Sequence, residues 1–127
     1  MNINMPQLEK AGNWNFVGQI LDEVQLNSLI EIGDYCFVQC SFNQDIAFDS
    51  LTEIGKGSFA GSKVNANLYF EKLTNIPKNF AFGVQIKKGN YIRIGDAKFT
   101  SFDELLSNFD YDQTEFNNDI QNQKNKK

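Results

Sequence analysis

Apolar residues recur along this chain at intervals of 22 residues. The clearest copies of the pattern are residues 24–33, 46–55 and 68–77. Four apolar columns coincide in these three copies, and a fifth column consists of Phe42, Val64 and Ile86. One such unit is too small to bury its own apolar columns. The pattern therefore predicts a stack of short repeats with a shared core.

The register continues on both sides of the three copies. Residues 90–95 predict a partial fourth copy, and Ile20, placed in the column of Phe42, predicts a partial earlier one. Residues 84–94 alone read as a hairpin, because two alternating runs flank a Lys-Lys-Gly-Asn turn. The repeat favours solenoid corners instead, because polar segments recur at one place in each copy. These segments are 43–45, 65–67 and 87–89.

Two segments carry the most regular motif, Leu29-Ile-Glu-Ile-Gly-Asp-Tyr-Cys-Phe37-Val-Gln-Cys40 and Leu51-Thr-Glu-Ile-Gly-Lys-Gly-Ser-Phe59-Ala-Gly-Ser62. Both are close to L-x-x-I-G-x-x-A-F-x-x-C, and the unit resembles the leucine-rich repeats of the BspA-like family. The resemblance extends over residues 16–95. It implies a leucine-rich-repeat solenoid, a short right-handed β-rich superhelix with one short parallel strand per repeat. It also implies a role in protein–protein interaction.

The repeat divides the chain into four parts. Residues 20–95 are predicted to be the solenoid, and residues 1–19, which contain Trp14 beside Phe16, an N-terminal cap. Residues 96–116 are predicted to be a C-terminal cap with a helix near 102–109, which has an N-cap residue and an apolar stripe. A helix that recruits a partner is the alternative there. Residues 117–127 are mostly Asn, Gln and Lys, which predicts a disordered tail.

The inventory of reactive side chains argues against an enzyme. The chain has no His, which removes the common nucleophile–base arrangements and most general-base catalysis near neutral pH. Cys36 and Cys40 are expected to be buried reduced thiols, because a disulfide is disfavoured in a chain without an export signal. They are a weak metal motif, because C-x-x-x-C lacks a second pair. We expect no cofactor, no metal site and no catalytic residue.

The first residues lack a cationic segment followed by an apolar one, and no stretch approaches the roughly 18 apolar residues of a membrane span. These features predict a cytoplasmic protein without a membrane partner.

Charge is unevenly distributed in a chain whose net charge is −4. Residues 1–55 carry eight acids and one Lys, whereas residues 56–98 carry eight bases and two acids. The basic half could attract nucleic acid or an acidic protein. Solvated lysines are the simpler interpretation, because the chain has no nucleic-acid motif and a pI near 4.7. A nucleic-acid partner is not expected.

Residues that alternate with buried strand positions point outward and predict a binding face. One outward column holds Gln25, Ala47, Tyr69 and Tyr91, and a second holds Asn27, Asp49, Glu71 and Arg93. Four rows at the parallel-strand spacing span only about 15 Å, which allows one patch. Tyr69 and Tyr91 are the predicted anchors. The alternative is an aromatic ladder that only stabilises the sheet.

The sequence therefore predicts a non-catalytic protein-interaction module. Its partner-binding residues would be Gln25, Asn27, Asp49, Tyr69, Glu71, Tyr91 and Arg93. The alternative is a small cytosolic inhibitor, such as an immunity or anti-defence protein that blocks a toxin, nuclease or other enzyme. The chain is expected to be a monomer or a homodimer stacked through its solenoid ends.

Overall fold

The computed structural model describes residues 2–125, which form twelve short strands and two helices. The strands of the first half are β1 (Asn2–Asn4), β2 (Lys10–Ala11), β3 (Ile20–Leu21), β4 (Glu23–Gln25), β5 (Glu31–Ile32) and β6 (Ser41–Phe42). Those of the second half are β7 (Ile46–Ala47), β8 (Lys63–Val64), β9 (Leu68–Phe70), β10 (Gln85–Ile86), β11 (Ile92–Ile94) and β12 (Ala97–Phe99). The helices are α1 (Phe102–Asn108) and α2 (Gln113–Lys124).

The strands stack in parallel from one turn of the chain to the next. Two four-stranded sheets have the orders β10-β8-β6-β3 and β12-β11-β9-β7, and two-stranded sheets pair β1 with β4 and β2 with β5. Among the described strands only β12 pairs in antiparallel fashion, with β11. The predicted fold is confirmed, since the chain is a parallel-strand solenoid of about four turns with helices at its C-terminal end. The early turns contain three short strands where the family resemblance implies one.

The 22-residue register holds in the middle of the solenoid. Phe42 lies opposite Val64, and Val64 lies opposite Ile86. The hairpin alternative for residues 84–94 does not occur, because β10 and β11 pair in parallel with different strands. Residues 87–89 between these strands therefore form a solenoid corner, as the repeat predicted.

The first turn is one residue shorter than the 22-residue repeat. Leu21, rather than Ile20, lies opposite Phe42, so the placement of Ile20 in that column is wrong. A shift of one residue moves a strand's side chains to the opposite face. Leu21 is accordingly fully buried, whereas Ile20 is 57% exposed.

A column of four phenylalanines forms the centre of the core, Phe16, Phe37, Phe59 and Phe80. The rings of Phe16 and Phe37 stack with centroids 5.0 Å apart, and those of Phe37 and Phe59 stack at 5.4 Å. Phe80 reaches Phe59 edge-on at 5.7 Å. The turn with Ala81 in the phenylalanine register therefore keeps the aromatic column by using the preceding side chain.

The N-terminal segment continues the solenoid. Residues 1–19 are predicted as a cap, yet β1 and β2 pair in parallel with β4 and β5 and make a further turn. The paired residues are 21 positions apart, so an alignment of the sequence at a period of 22 does not reveal this turn. Met1 lies outside the described residues, and the boundary between cap and solenoid stays a prediction.

The C-terminal segment differs from its prediction in one respect. Helix α1 lies where the capping helix was expected, with Ser101 as N-cap and Leu105 buried. The tail predicted to be disordered is instead helical over most of its described part, because α2 covers residues 113–124. The composition of the tail did not reveal that side chains of the solenoid hold this helix. Lys126 and Lys127 lie outside the described residues.

Candidate interaction surface

The seven residues predicted to bind a partner have exposed or half-buried side chains, but they divide between two sheets. Gln25 ends β4 and Asn27 follows it, beside the β1-β4 sheet. The others belong to β7-β9-β11-β12 or to the residues next to these strands, and they are Asp49, Tyr69, Glu71, Tyr91 and Arg93. Among the described residues β4 and β7 do not pair, and the Val24 N–H donates to Gln44 Oε1 at 3.3 Å. The predicted patch is therefore not one continuous sheet.

The predicted columns also change at the last parallel strand. Arg93, rather than Tyr91, lies opposite Tyr69, because this turn is two residues longer than the repeat. A shift of two residues keeps the same face outward, so both side chains stay on the surface. Lys98 of β12 lies opposite Arg93 and adds a second cation. Sequence reasoning missed Lys98 because β12 returns antiparallel and belongs to no repeat.

Tyr69 and Tyr91 are nevertheless in contact. Their hydroxyl oxygens are 3.0 Å apart, and their rings meet edge to face with centroids 5.8 Å apart. The side-chain amide of Asn67 donates to Tyr69 Oη at 3.4 Å, and the hydrogen bond to Tyr91 raises the pKa of Tyr69. The backbone N–H of Tyr91 donates to Asn67 Oδ1 at 3.1 Å. The two phenols therefore form one ordered unit.

Charged groups surround the tyrosine pair. The Arg93 Nε–H donates to the carbonyl of Gly95 at 2.8 Å, and Arg93 Nη2 lies 3.7 Å from Asp96 Oδ1. The ammonium group of Lys98 lies 4.6 Å from the centre of the Tyr91 ring, within the range of a cation–π contact. The exposed carboxylates of Asp49 and Glu71 lie after β7 and β9. This part of the molecule, defined by Asn67, Tyr69, Tyr91, Arg93 and Lys98, is hereafter the tyrosine surface.

Comparison with known families bears on this architecture. Residues 1–87, more than half of the chain, match the family described as BspA type leucine rich repeat region, in six copies. The chain belongs to this family. No match was found among curated proteins or among solved structures. Membership of the leucine-rich-repeat family suggests a protein-interaction module, and solenoids of this family are typically non-catalytic.

The two cysteines of this leucine-rich-repeat solenoid are core residues. Cys36 and Cys40 are free thiols, and Cys40 Sγ donates to the carbonyl of Phe16 at 2.8 Å. Ser62, one repeat later, donates from its hydroxyl to the carbonyl of Phe37 at 2.9 Å. The side chains of Cys40 and Ser62 therefore make equivalent hydrogen bonds, one from sulfur and the other from oxygen. In residues 2–125 no group of three or more His, Cys, Asp or Glu side chains is placed to hold a metal ion. Neither α1 nor α2 is long and apolar enough to cross a membrane.

Two lysines of the basic half have internal partners. Lys56 Nζ lies 3.1 Å from Asp119 Oδ2 and 3.4 Å from Glu115 Oε1, and Lys78 Nζ lies 3.4 Å from Glu115 Oε2. These lysines are one repeat apart and face α2. Both lysines therefore form ion pairs while remaining partly solvated, and no pattern in the sequence indicated their partners.

Proposed function

We propose that the chain is a non-catalytic interaction module that binds a protein partner through the tyrosine surface. The observation that carries this proposal is the ordered Tyr69–Tyr91 pair on the outward face of a four-stranded sheet. Family membership supports the general role, and the geometry of the pair supports the location.

The pair is suited to binding because it is ordered before a partner arrives. A tyrosine has few rotatable bonds, and Asn67 and the neighbouring hydroxyl hold Tyr69 in place. Less side-chain entropy is lost on association when the contact groups are already fixed. Both rings remain half-buried, so each keeps apolar area for a partner. Tyrosine is also enriched among the residues that dominate interface energies.

The charged groups around the pair would orient the partner. Arg93 and Lys98 lie on the β11–β12 side, whereas Asp49 and Glu71 follow β7 and β9. Charges at the edge of an interface change association rates and exclude wrong partners more than they change affinity. We therefore expect a partner with an apolar centre and complementary charges around it.

The test compares three forms of the full chain in affinity capture from a lysate of the source organism. They are the wild type, Tyr69→Ala with Tyr91→Ala, and the control Gln25→Ala with Asn27→Ala on the other sheet. Circular dichroism first establishes that all three are folded. The tyrosine variant should bind the captured partner roughly thirtyfold more weakly, about 2 kcal/mol. The control should retain wild-type affinity.

The outcomes that contradict this prediction differ in what they imply about the location of the site. Equal loss in the control would extend the site across both sheets, and equal capture by all three forms would refute the tyrosine surface. The inhibitor hypothesis requires more, namely that the captured partner is an enzyme whose activity the chain abolishes at one-to-one stoichiometry. The cytoplasmic location and the oligomeric state stay predictions.

A further inference from the structure

Helix α2 lies against a side of the solenoid that shares no residue with the tyrosine surface. None of its residues 113–124 is buried, and only two of its side chains, Phe116 and Ile120, pack on the solenoid's apolar groups. The cluster beneath it consists of Trp14, Tyr35, Val38, Ala60 and Phe82. This strip of the solenoid, together with Lys56 and Lys78, is hereafter the lateral surface.

Aromatic contacts form the apolar part of the docking. The ring of Phe116 lies 5.0 Å from that of Phe82 and 6.1 Å from that of Tyr35, measured between centroids. Tyr35 in turn stacks on Trp14, with centroids 4.4 Å apart. Phe116 therefore contacts aromatic rings from two turns of the solenoid, and the ring of Trp14 from a third turn stacks on one of them.

Complementary charge forms the polar part of the docking. Asp119 accepts a hydrogen bond from the Tyr35 hydroxyl at 2.5 Å and pairs with Lys56 at 3.1 Å. Glu115 lies within 3.4 Å of both Lys56 and Lys78. The helix thus places a carboxylate at each end of one turn against two ammonium groups. Glu115 and Asp119 are four residues apart, as are Phe116 and Ile120, so all four share one helix face.

The ion pairs of this docking are weak individually. Ion pairs between partly exposed side chains contribute about 0–1 kcal/mol each. The side chains of Lys56, Lys78 and Glu115 are each about a third or more exposed. A helix of twelve residues has little stability of its own in water. An open groove of about 210 Å³ also remains beside the helix, lined by Trp14 and Asp34 among others. We therefore expect this segment to open locally more often than the core strands.

We infer that the lateral surface is a second interaction site, which binds an amphipathic helix of a partner protein. That helix would carry the pattern of α2, Glu-Phe-x-x-Asp-Ile, because the surface supplies two ammonium groups, one phenol donor and an aromatic strip to these positions. Helix α2 is the resident occupant, and a partner helix must displace it. Binding through the tyrosine surface does not depend on this exchange.

The probe is a fluorescently labelled synthetic peptide with the sequence of residues 110–125. It is titrated into the wild-type chain and into full-length Phe116→Ala with Asp119→Ala, whose own α2 is loosened. The loosened chain should bind the peptide at least about tenfold more tightly, because the resident helix no longer competes. A control peptide with the same two substitutions should not bind. Adding Lys56→Ala and Lys78→Ala to the loosened chain should weaken binding about tenfold.

Hydrogen exchange of the wild-type chain provides an independent measurement. Amides of α2 should exchange at least about a hundredfold faster than those of β9 and β11. Equal protection would overturn the inference, because α2 would then not be displaceable. The inference would also be overturned if the loosened chain keeps its strand signal in circular dichroism but does not bind the 110–125 peptide. Equal binding of that peptide and the control peptide would overturn it as well. A wild-type dimer that exchanges its α2 helices would assign the surface to a second copy of the chain instead.

Discussion

The ring of Tyr35 packs directly against the α-carbon of Gly57 in the next turn of the solenoid. A Cβ atom on Gly57 would lie 2.1 Å from Tyr35 Cε1, a distance at which one of the two must move. Gly57 also has a φ of +61°, in the left-handed region. Tyr35 is fully buried and bonded to Asp119 of α2, so it has little room to yield.

Gly57→Ala should therefore destabilise the chain strongly. The left-handed backbone alone costs about 1–3 kcal/mol for a residue with a side chain. The collision with Tyr35 should add at least about 1–3 kcal/mol. The matched control is Gly83→Ala, because Gly83 has a φ of +71° and open space where its Cβ would be. Urea unfolding of both variants measures the difference, and equal costs would show that the Tyr35 ring moves aside freely.

Both thiols should be inert in the folded chain. Burial raises the pKa of Cys36 to about 12 and that of Cys40 to about 11. The thiolate is the reactive form of cysteine, and both side chains are also closed off from solvent. A chromogenic thiol reagent at pH 8 should label neither residue in the native chain and both in denaturant. Rapid labelling of the native chain would contradict the burial of this column.

Acid should release α2 before it unfolds the solenoid. Burial alone would raise the pKa of Asp119, but hydrogen bonds from Tyr35 and Lys56 bring it below its ordinary value of 3.8. A lowered folded pKa means that the contribution to docking is complete above about pH 4 and is lost as the pH falls through the folded value. Trp14, the single tryptophan, stacks on Tyr35 and reports the change by fluorescence. In Asp119→Asn the carboxylate is absent, so this fluorescence step should disappear while the strand signal in circular dichroism remains.

The side chain of Asn79 should control the start of α2. Its amide donates to the carbonyl of Asp112 at 3.0 Å, and its Oδ1 accepts from the Asp112 N–H at 2.8 Å. Asn79 has a φ of +61°, so Asn79→Gly removes the amide without straining the backbone. The loss of two partly buried hydrogen bonds should cost about 1–3 kcal/mol. Hydrogen exchange should accelerate in α2 and not in β9, and uniform acceleration would contradict a local role.

The sequence by itself determined the solenoid and most of its core. Residues such as Leu29 and Leu51 recur at one position of each repeat, and both are fully buried. The solenoid corner at residues 87–89 was predicted correctly for the same reason. An apolar column that recurs in several repeats identifies buried positions more securely than a single amphipathic segment does, because the same alignment must fit every copy. The same register also predicted which strand residues point outward.

Only the tertiary structure decided where that register changes and what α2 contacts. The first turn has one residue fewer than the repeat, which buries Leu21 in place of Ile20. The last turn has two residues more, which places Arg93 beside Tyr69. Such changes in length lie in corners, where no apolar column marks them. The docking of α2 joins Asp119 to Tyr35 across 84 positions of sequence. Local composition predicted disorder there, because the helix depends on contacts with distant turns and has no buried apolar face of its own.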